Sequence, residues 1–185
     1  MSLEGHESGF VVFRRPPTPH SGWNNFPQYV PTLPITGTWA VDFDGGPQNV
    51  ALSELTDWAR HPDQSIRHFS GKATYRLIFD APGQADALSL GKVANIASVR
   101  LNGVDLGVLW SAPWRVTLPT GLLLPAGNVL EVTVANLWTN RLIGDSALPA
   151  EERKTKTTWS PFRPDSPLQV SGLLGPVTLM RRERP

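Results

Sequence analysis

The sequence predicts an all-β sandwich of short antiparallel strands. Its 185 residues include 18 prolines and 16 glycines, which divide the chain into short segments and disfavour long helices. Several segments alternate apolar and polar residues with a period of two, as strands with one buried face do. Strands do not alternate with helical segments, which argues against a parallel α/β fold. Hydrophobic residues make up 40% of the chain, enough for a core.

The first 34 residues are predicted to form a strand followed by an irregular connector, the tail of a preceding domain. Residues 10–15 (FVVFRR) are a short apolar run typical of a strand. Six prolines then fall between residues 16 and 34, a density that excludes regular structure and indicates an extended connector. The sandwich itself is predicted to occupy residues 35–185.

Within the sandwich we expect roughly eight or nine strands and one short helix. The clearest alternating positions are Trp39, Val41 and Phe43; Tyr75, Leu77 and Phe79; Leu130, Val132 and Val134; and Val177 and Leu179. The helix is predicted over residues 53–60, with Ser53 as its N-cap and Pro62 as its stop. Residues 139–167 show no strand pattern and hold four prolines, so a long loop is predicted there.

The most detailed local prediction is a β-hairpin around Asn102-Gly103. This pair is typical of a type I′ turn, in which both central residues have positive φ. The predicted register pairs Leu101 with Val104, Arg100 with Asp105, and Val99 with Leu106. The same alternation places Trp110 on the apolar face, and a strand after Pro113 places Trp114 inward. Both tryptophans are therefore expected in the core or at its rim, with an exposed ligand platform as the alternative.

Charge and cysteine content exclude several classes of function. The chain has 17 basic and 16 acidic residues and a net charge of +1, so neither nucleic acid nor a membrane surface is expected as a partner. Without cysteine, the chain has no disulfide, thiolate metal site or cysteine nucleophile. No apolar run approaches the roughly 18 residues of a membrane span.

Catalytic and metal motifs are also weak. The close acidic pairs, Asp42 with Asp44 and Glu54 with Asp57, are better explained by turn and helix-cap chemistry than by glycosidase carboxylates. The four histidines lack metal-ligand spacing, and no nucleophile elbow is present. No cofactor is expected, although a structural calcium ion on Asp42, Asp44 or Glu131 remains open.

A sugar-binding surface is the strongest remaining candidate. Residues 136–145 (NLWTNRLIGD) combine an aromatic ring with polar groups, and sugar recognition requires both. The candidate residues are Trp138, Asn140, Arg141, Asp145, Trp110 and Trp114. The structural interpretation, which the sequence favours over a sugar site, is that Arg141 pairs with Asp145 inside the chain and Asn140 binds backbone to hold the loop.

Several segments resemble modules of glycoside hydrolases. FSGKATYRLIF, VRLNGVDLGVLWSAPWRV and GNVLEVTVANLW resemble the sugar-binding-type jelly roll of family 2 glycoside hydrolases. NRLIGD, SGLLGPV and LTDWARHPDQSIRHFSG resemble the C-terminal galactose-binding-like module of large bacterial α-L-rhamnosidase-type enzymes, over residues 35–179. The resemblance implies a galactose-binding-like jelly roll. It also implies that the catalytic carboxylates lie on a separate (β/α)₈ barrel, which 185 residues cannot hold.

Two functions are expected from this resemblance. In the first, the chain is a non-catalytic accessory module that docks on or supports the catalytic domain of a parent glycosidase. That parent is expected to act on rhamnosides and to be secreted or periplasmic. In the alternative, the chain is a carbohydrate-binding module that binds sugar through its loops. Lys154, Lys156 and Trp159 lie in the predicted loop and are expected to contact the parent in the first case.

Overall fold

The computed structural model describes residues 27–183, which form a β-sandwich. Its strands are β1 (Tyr29–Pro34), β2 (Trp39–Phe43), β3 (Val50–Leu52), β4 (Lys72–Phe79), β5 (Ala87–Ser89), β6 (Lys92–Ala94), β7 (Ile96–Leu101), β8 (Val104–Leu109), β9 (Arg115–Thr117), β10 (Asn128–Ala135), β11 (Gly172–Gly175) and β12 (Thr178–Arg182). The helices are α1 (Gln64–Arg67) and α2 (Thr139–Ser146), with 3₁₀ helices at Trp58–Arg60 and Ala150–Glu152. The predicted all-β class is confirmed. None of the helices in residues 27–183 has the length and hydropathy to cross a membrane.

Two antiparallel sheets enclose one core. The larger sheet has the order β3-β2-β4-β10-β7-β8 and the smaller one β1-β12-β5-β9, while β6 and β11 pair with each other. Strand β4 shows why the alternation in the sequence is so clear: Ala73, Tyr75, Leu77 and Phe79 are buried, while the residues between them face outward. Side chains from both sheets meet in a single hydrophobic cluster, as expected for a sandwich.

The centre of the core is aromatic and contains a buried hydrogen bond. Trp58 Nε1 donates to Tyr75 Oη at 2.5 Å, and the backbone N–H of Leu173 donates to the same oxygen at 3.1 Å. Burial raises the pKa of the Tyr75 hydroxyl, which stays protonated. A Cβ on Gly172, the first residue of β11, would lie 2.5 Å from Trp58 Nε1. Only glycine therefore fits at this position against the two rings.

The prolines before Ile35 do not prevent strand formation, contrary to the prediction. Residues 29–34 form β1, which pairs with β12 from Tyr29 to Pro34 around an irregularity between Pro31 and Leu33. Strand β1 lies at the edge of its sheet, where proline is tolerated because one side of the strand needs no partner. The predicted strand at residues 10–15 and the connector up to residue 26 lie outside the described residues.

The predicted helix over residues 53–60 is replaced by two shorter ones. Asp57, not Ser53, caps the 3₁₀ helix Trp58–Arg60: its carboxylate accepts hydrogen bonds from the backbone N–H groups of Ala59 (3.0 Å) and Ser171 (2.9 Å). The bond to Ser171 joins the cap to a distant part of the chain, which local sequence cannot indicate. Helix α1 begins after Pro62, with Asp63 as its N-cap.

The hairpin turn is confirmed, but the strand that follows it is shifted by one residue. Asn102 and Gly103 have φ of 51° and 80°, and Arg100 pairs with Asp105 as predicted. A β-bulge then pairs Val99 with Gly107 instead of Leu106. The bulge is held by the N–H of Gly107, which donates to Asp105 Oδ1 at 2.8 Å, and by the φ of 99° that glycine permits.

This shift exchanges the inward and outward positions in the second half of β8. Leu109 turns toward the core, whereas Val108 and Trp110 face outward, Trp110 being 75% exposed. The prediction that Trp110 lies in the core or at its rim is therefore wrong, because one extra residue exchanges inward and outward positions. Trp114 is half-buried and packs against the core, as expected.

Candidate functional site

The segment predicted to carry the sugar site is a helix rather than a loop. Residues 139–146 form α2, whose buried positions are Asn140, Ile143 and Asp145. Two of these three residues are polar, so the apolar periodicity that normally reveals a helix is missing. Helix formation here depends on polar side chains finding partners inside the protein.

Asn140 ties α2 to the segment before β11. Its Nδ2 donates to the carbonyl oxygen of Gln169 and its Oδ1 accepts from the N–H of Gln169, both at 2.7 Å. The same Nδ2 lies 3.2 Å from Ser171 Oγ. With its side chain buried and its amide used on both sides, Asn140 holds the backbone and presents no polar group outward.

Arg141 and Asp145 form a second internal network. Arg141 Nε donates to the carbonyl oxygen of His68 at 2.7 Å, and its Nη1 lies 3.5 Å from Asp145 Oδ1. Asp145 Oδ2 accepts from the hydroxyl and the backbone N–H of Thr155, while Oδ1 has no hydrogen-bond partner within residues 27–183. Burial by itself would raise the pKa of Asp145. The hydrogen bonds from Thr155 and from the backbone N–H of Lys154, together with the charge of Arg141, outweigh the effect of burial, so the pKa is lowered.

The structure therefore shows the internal arrangement that the sequence favoured over a sugar site. Arg141 pairs with Asp145, and Asn140 binds backbone. Of the four candidates in this segment, only Trp138 is exposed, at 65%. The three polar side chains near its indole, Asn140, Arg141 and Asp145, are bound by other parts of the protein and are not free to bind a ligand.

Exposed apolar residues surround the start of α2. We define the α2 face as Leu137, Trp138 and Val170, all of which are exposed. The bonds from Asn136 to Ser171 and from Asn140 to Gln169 bring the two segments side by side. Trp159, which lies in the segment between α2 and β11, is also exposed, at 74%. These side chains add nothing to the core of the sandwich.

The hairpin tryptophans are on another part of the fold. They follow the edge strand β8, two strands away from β10, which leads into α2. Trp114 is half-buried, so Trp110 is the residue of this pair whose ring is available to a ligand.

A polar cavity of about 480 Å³ lies on the outer face of the larger sheet, where the sequence left open only a calcium ion on Asp42, Asp44 or Glu131. Its lining residues are Asp42, Asp44, Gly45, Gln48, Lys72, Thr74, Arg76 and Thr133. They occupy mainly the outward positions of β2, β4 and β10. The alternation that identified the buried residues of these strands therefore also identified the polar residues on their outer face.

Charges in this cavity are partly neutralised by the protein. Arg76 pairs with Asp42 and, at 2.9 Å, with Glu131, and these two carboxylates raise its pKa, Glu131 more than Asp42. The backbone N–H of Asn49 and the guanidinium of Arg76 lower the pKa of Asp42. The hydroxyls of Thr74 and Thr133 lie 2.9 Å apart.

Three of the acidic residues considered for catalysis or calcium, Asp42, Asp57 and Glu131, have structural partners. Asp42 binds Arg76, and Asp57 caps the 3₁₀ helix and binds Ser171. Across residues 27–183, no three His, Cys, Asp or Glu side chains come together as a metal site. The calcium ion stays a prediction.

Comparison with known proteins adds the biological context. No protein-family model matches the chain. It is 35% identical to a protein of Formosa agariphila named "Putative beta-glucuronidase", over 78% of this chain and 15% of that one. Its fold matches a rhamnosidase from Novosphingobium sp. PP1Y with a TM-score of 0.75 and 36% identity, over 83% of this chain and 15% of that one. The chain is similar to a segment of glycoside hydrolases. It spans about 15% of the length of these two relatives.

Proposed function

We propose that the chain is a galactose-binding-like accessory module of a glycoside hydrolase, without catalytic residues of its own, and that it docks on the catalytic domain of that parent enzyme. One observation carries this proposal: most of the chain, 83%, aligns with only 15% of a rhamnosidase. A segment of that size that forms one antiparallel sandwich leaves the catalytic barrel to the rest of the polypeptide.

The α2 face and Trp159 are the proposed contact surface. Exposed apolar side chains grouped on a small domain favour a protein contact, because burying them there removes apolar area from water. Lys154 and Lys156 precede Trp159 by five and three residues and suit the polar rim of such a contact. The catalytic domain of the parent is the proposed partner.

The buried network of α2 prepares this surface for docking. Asn140 fastens residue 169 and Asp145 fastens residue 155, so both ends of the intervening segment are held to the helix. Fewer residues then need to be ordered when the module docks, which lowers the entropic cost of association. Mobility in the isolated chain is expected only between residues 155 and 169.

For the parent enzyme we propose glycoside hydrolysis on rhamnosides, outside the cytoplasm. The similarity to a rhamnosidase supports this substrate class. Release of nitrophenol from nitrophenyl α-L-rhamnoside by the full-length parent, with none from the 185-residue chain, is the expected result. Release by the isolated chain would contradict the accessory role.

Docking is tested in the full-length parent with Trp138→Ala and Trp159→Ala. We expect both variants to shorten the half-life of activity on heating, because the module detaches more easily from the catalytic domain. Ile78→Ala is the matched control, since Ile78 is equally exposed but lies on the sheet. Unchanged half-lives in the double variant Trp138→Ala/Trp159→Ala would refute the contact.

Sugar binding through the loops is the alternative role, and the exposed ring of Trp138 is what supports it. Calorimetry with rhamnose and galactose on the wild type and Trp138→Ala distinguishes the two roles. Saturable heat that disappears in the variant would favour the alternative. Arg141→Ala is a poor probe, because loss of the bond to His68 disturbs α2 itself.

A further inference from the structure

The outer face of the larger sheet carries a row of hydroxyl groups across three strands. Thr74 on β4 pairs with Thr133 on β10, and Thr133 pairs with Ser98 on β7. These residues occupy outward positions, and the first two hydroxyls are 2.9 Å apart. Hydroxyl groups both donate and accept hydrogen bonds, so the row offers alternating contacts to a ligand that does the same.

One end of this face is the polar cavity, which holds two groups that the protein leaves unpaired. Within the described part of the chain, neither the ammonium group of Lys72 nor the carboxylate of Asp44 forms a hydrogen bond or an ion pair. Lys72 is a donor and Asp44 is an acceptor. Arg76, by contrast, is already held between Asp42 and Glu131.

The opposite end of the face is Trp110. Lys72 pairs with Ala135, and Ala135 pairs with Ile96, so these three residues form a second row parallel to the hydroxyls. Because Ala97 pairs with Leu109, continuing the register by one residue places Trp110 opposite Ile96. Lys72 and Trp110 are thus three strand spacings apart, roughly 14 Å.

The β-bulge in β8 is the reason that Trp110 is on this face. Without the extra residue, uninterrupted alternation would turn the ring inward. Bulges often redirect a side chain next to a binding site. Trp110 is exposed together with Ile96 opposite it and Val108 two residues before it, and the three side chains form an apolar patch at this end of the face.

We propose that this outer face binds a short oligosaccharide, with Trp110 at one end of the site and Lys72 and Asp44 at the other. A sugar ring combines an apolar face, which stacks on indole, with hydroxyls that bond in pairs to polar side chains. The separation of roughly 14 Å between Trp110 and Lys72 suits a chain of sugars better than one sugar. Beside Trp110 the face is apolar, since Ile96 and Val108 are exposed there, and toward Lys72 it is polar, so the face offers both kinds of contact that a sugar makes.

Calorimetric titration of the 185-residue chain with a neutral and a uronate-containing oligosaccharide, each as a disaccharide and a tetrasaccharide, tests this site. We expect the tetrasaccharide of at least one series to bind tighter than its disaccharide, because only the longer ligand reaches both ends. The Trp110→Ala variant is expected to weaken tetrasaccharide binding at least about tenfold. Lys72→Ala should weaken it less, and more for the uronate series than for the neutral one.

The matched control is Trp159→Ala, which removes an equally exposed indole from the segment between α2 and β11 and should leave the affinity of the isolated chain unchanged. An unchanged melting temperature in Trp110→Ala shows that the fold is intact. The proposal is overturned if no oligosaccharide binds saturably, which would point to a protein contact at Trp110. It is also overturned if Trp138→Ala abolishes binding while Trp110→Ala does not. Neither result depends on docking to the parent, which is tested with the full-length enzyme.

Discussion

The β7–β8 hairpin and helix α2 depart from what residue type suggests in opposite directions. In the hairpin, the aromatic residue Trp110, which the alternating pattern places inward, is exposed. In α2, the polar candidates for a sugar site, Asn140, Arg141 and Asp145, are turned inward and bound by the protein, in agreement with the interpretation that the sequence favoured. Residue type alone therefore misidentifies the exposed groups in both regions.

The reason differs between the two. One inserted residue in β8 exchanges the faces of every position after it, so a local event decides the exposure of Trp110. In α2, the polar side chains are buried because partners from residues 68, 155 and 169 satisfy them. A functional site can be predicted from polar residue types only when those residues have no partners inside the protein.

Among the candidate site residues, the largest expected effect on stability comes from Asn140→Ala. Losing its amide removes three hydrogen bonds to Gln169 and Ser171 at a buried position, and we expect the free energy of unfolding to fall by about 2–3 kcal/mol. Urea denaturation followed by circular dichroism measures it, with the exposed amide variant Gln84→Ala as control. A loss no greater than in the control would mean that Asn140 does not hold α2.

Gly107→Ala tests the bulge. A residue with a side chain at φ of 99° is strained, although a Cβ there would meet no neighbouring atom, so we expect a loss of about 1–2 kcal/mol. Gly83→Ala, where φ is ordinary and the space is also open, should be neutral or slightly stabilising. Equal stability of the two variants would argue against a bulge held by Gly107.

Acid should weaken α2 through Asp145. Its pKa is lower in the fold than in the unfolded chain, so the carboxylate stabilises the fold above the unfolded pKa of about 3.9. This contribution is lost as the pH falls through the folded-state value. We expect the unfolding free energy of Asp145→Asn to change less than that of the wild type between about pH 5 and about pH 2. Asp165→Asn, an exposed control, should follow the wild type.

The smallest effect is expected for Trp110→Ala. Because the ring is 75% exposed, its removal should change the stability of the isolated chain by less than about 0.5 kcal/mol. The buried ring of Trp58 is the contrast, and Trp58→Ala should cost roughly 3–5 kcal/mol. A large loss in Trp110→Ala, measured by thermal denaturation, would restore the sequence-based prediction of a packed ring.

Much of the fold was predictable because its causes are local or periodic. Alternation in β2, β4 and β10 identified their buried faces, and Asn102-Gly103 identified the turn. Strand β1 was missed because edge position, which makes its prolines tolerable, is a property of the assembled sheet. Asp57 rather than Ser53 caps the 3₁₀ helix for a similar reason, since the backbone N–H of Ser171 binds the carboxylate of this cap.

The candidate site was less predictable than the fold. Sequence alone determined an all-β sandwich with alternating strands, a type I′ turn and a resemblance to glycoside hydrolase modules, since these depend on backbone preferences and apolar periodicity. Tertiary structure alone decided which polar and aromatic side chains remain available. Exposure of Trp110 depends on a one-residue shift between paired strands, and burial of Asn140 and Asp145 depends on partners distant in sequence. Hydrogen-bond satisfaction is a property of neighbours in space, so no local pattern reports it.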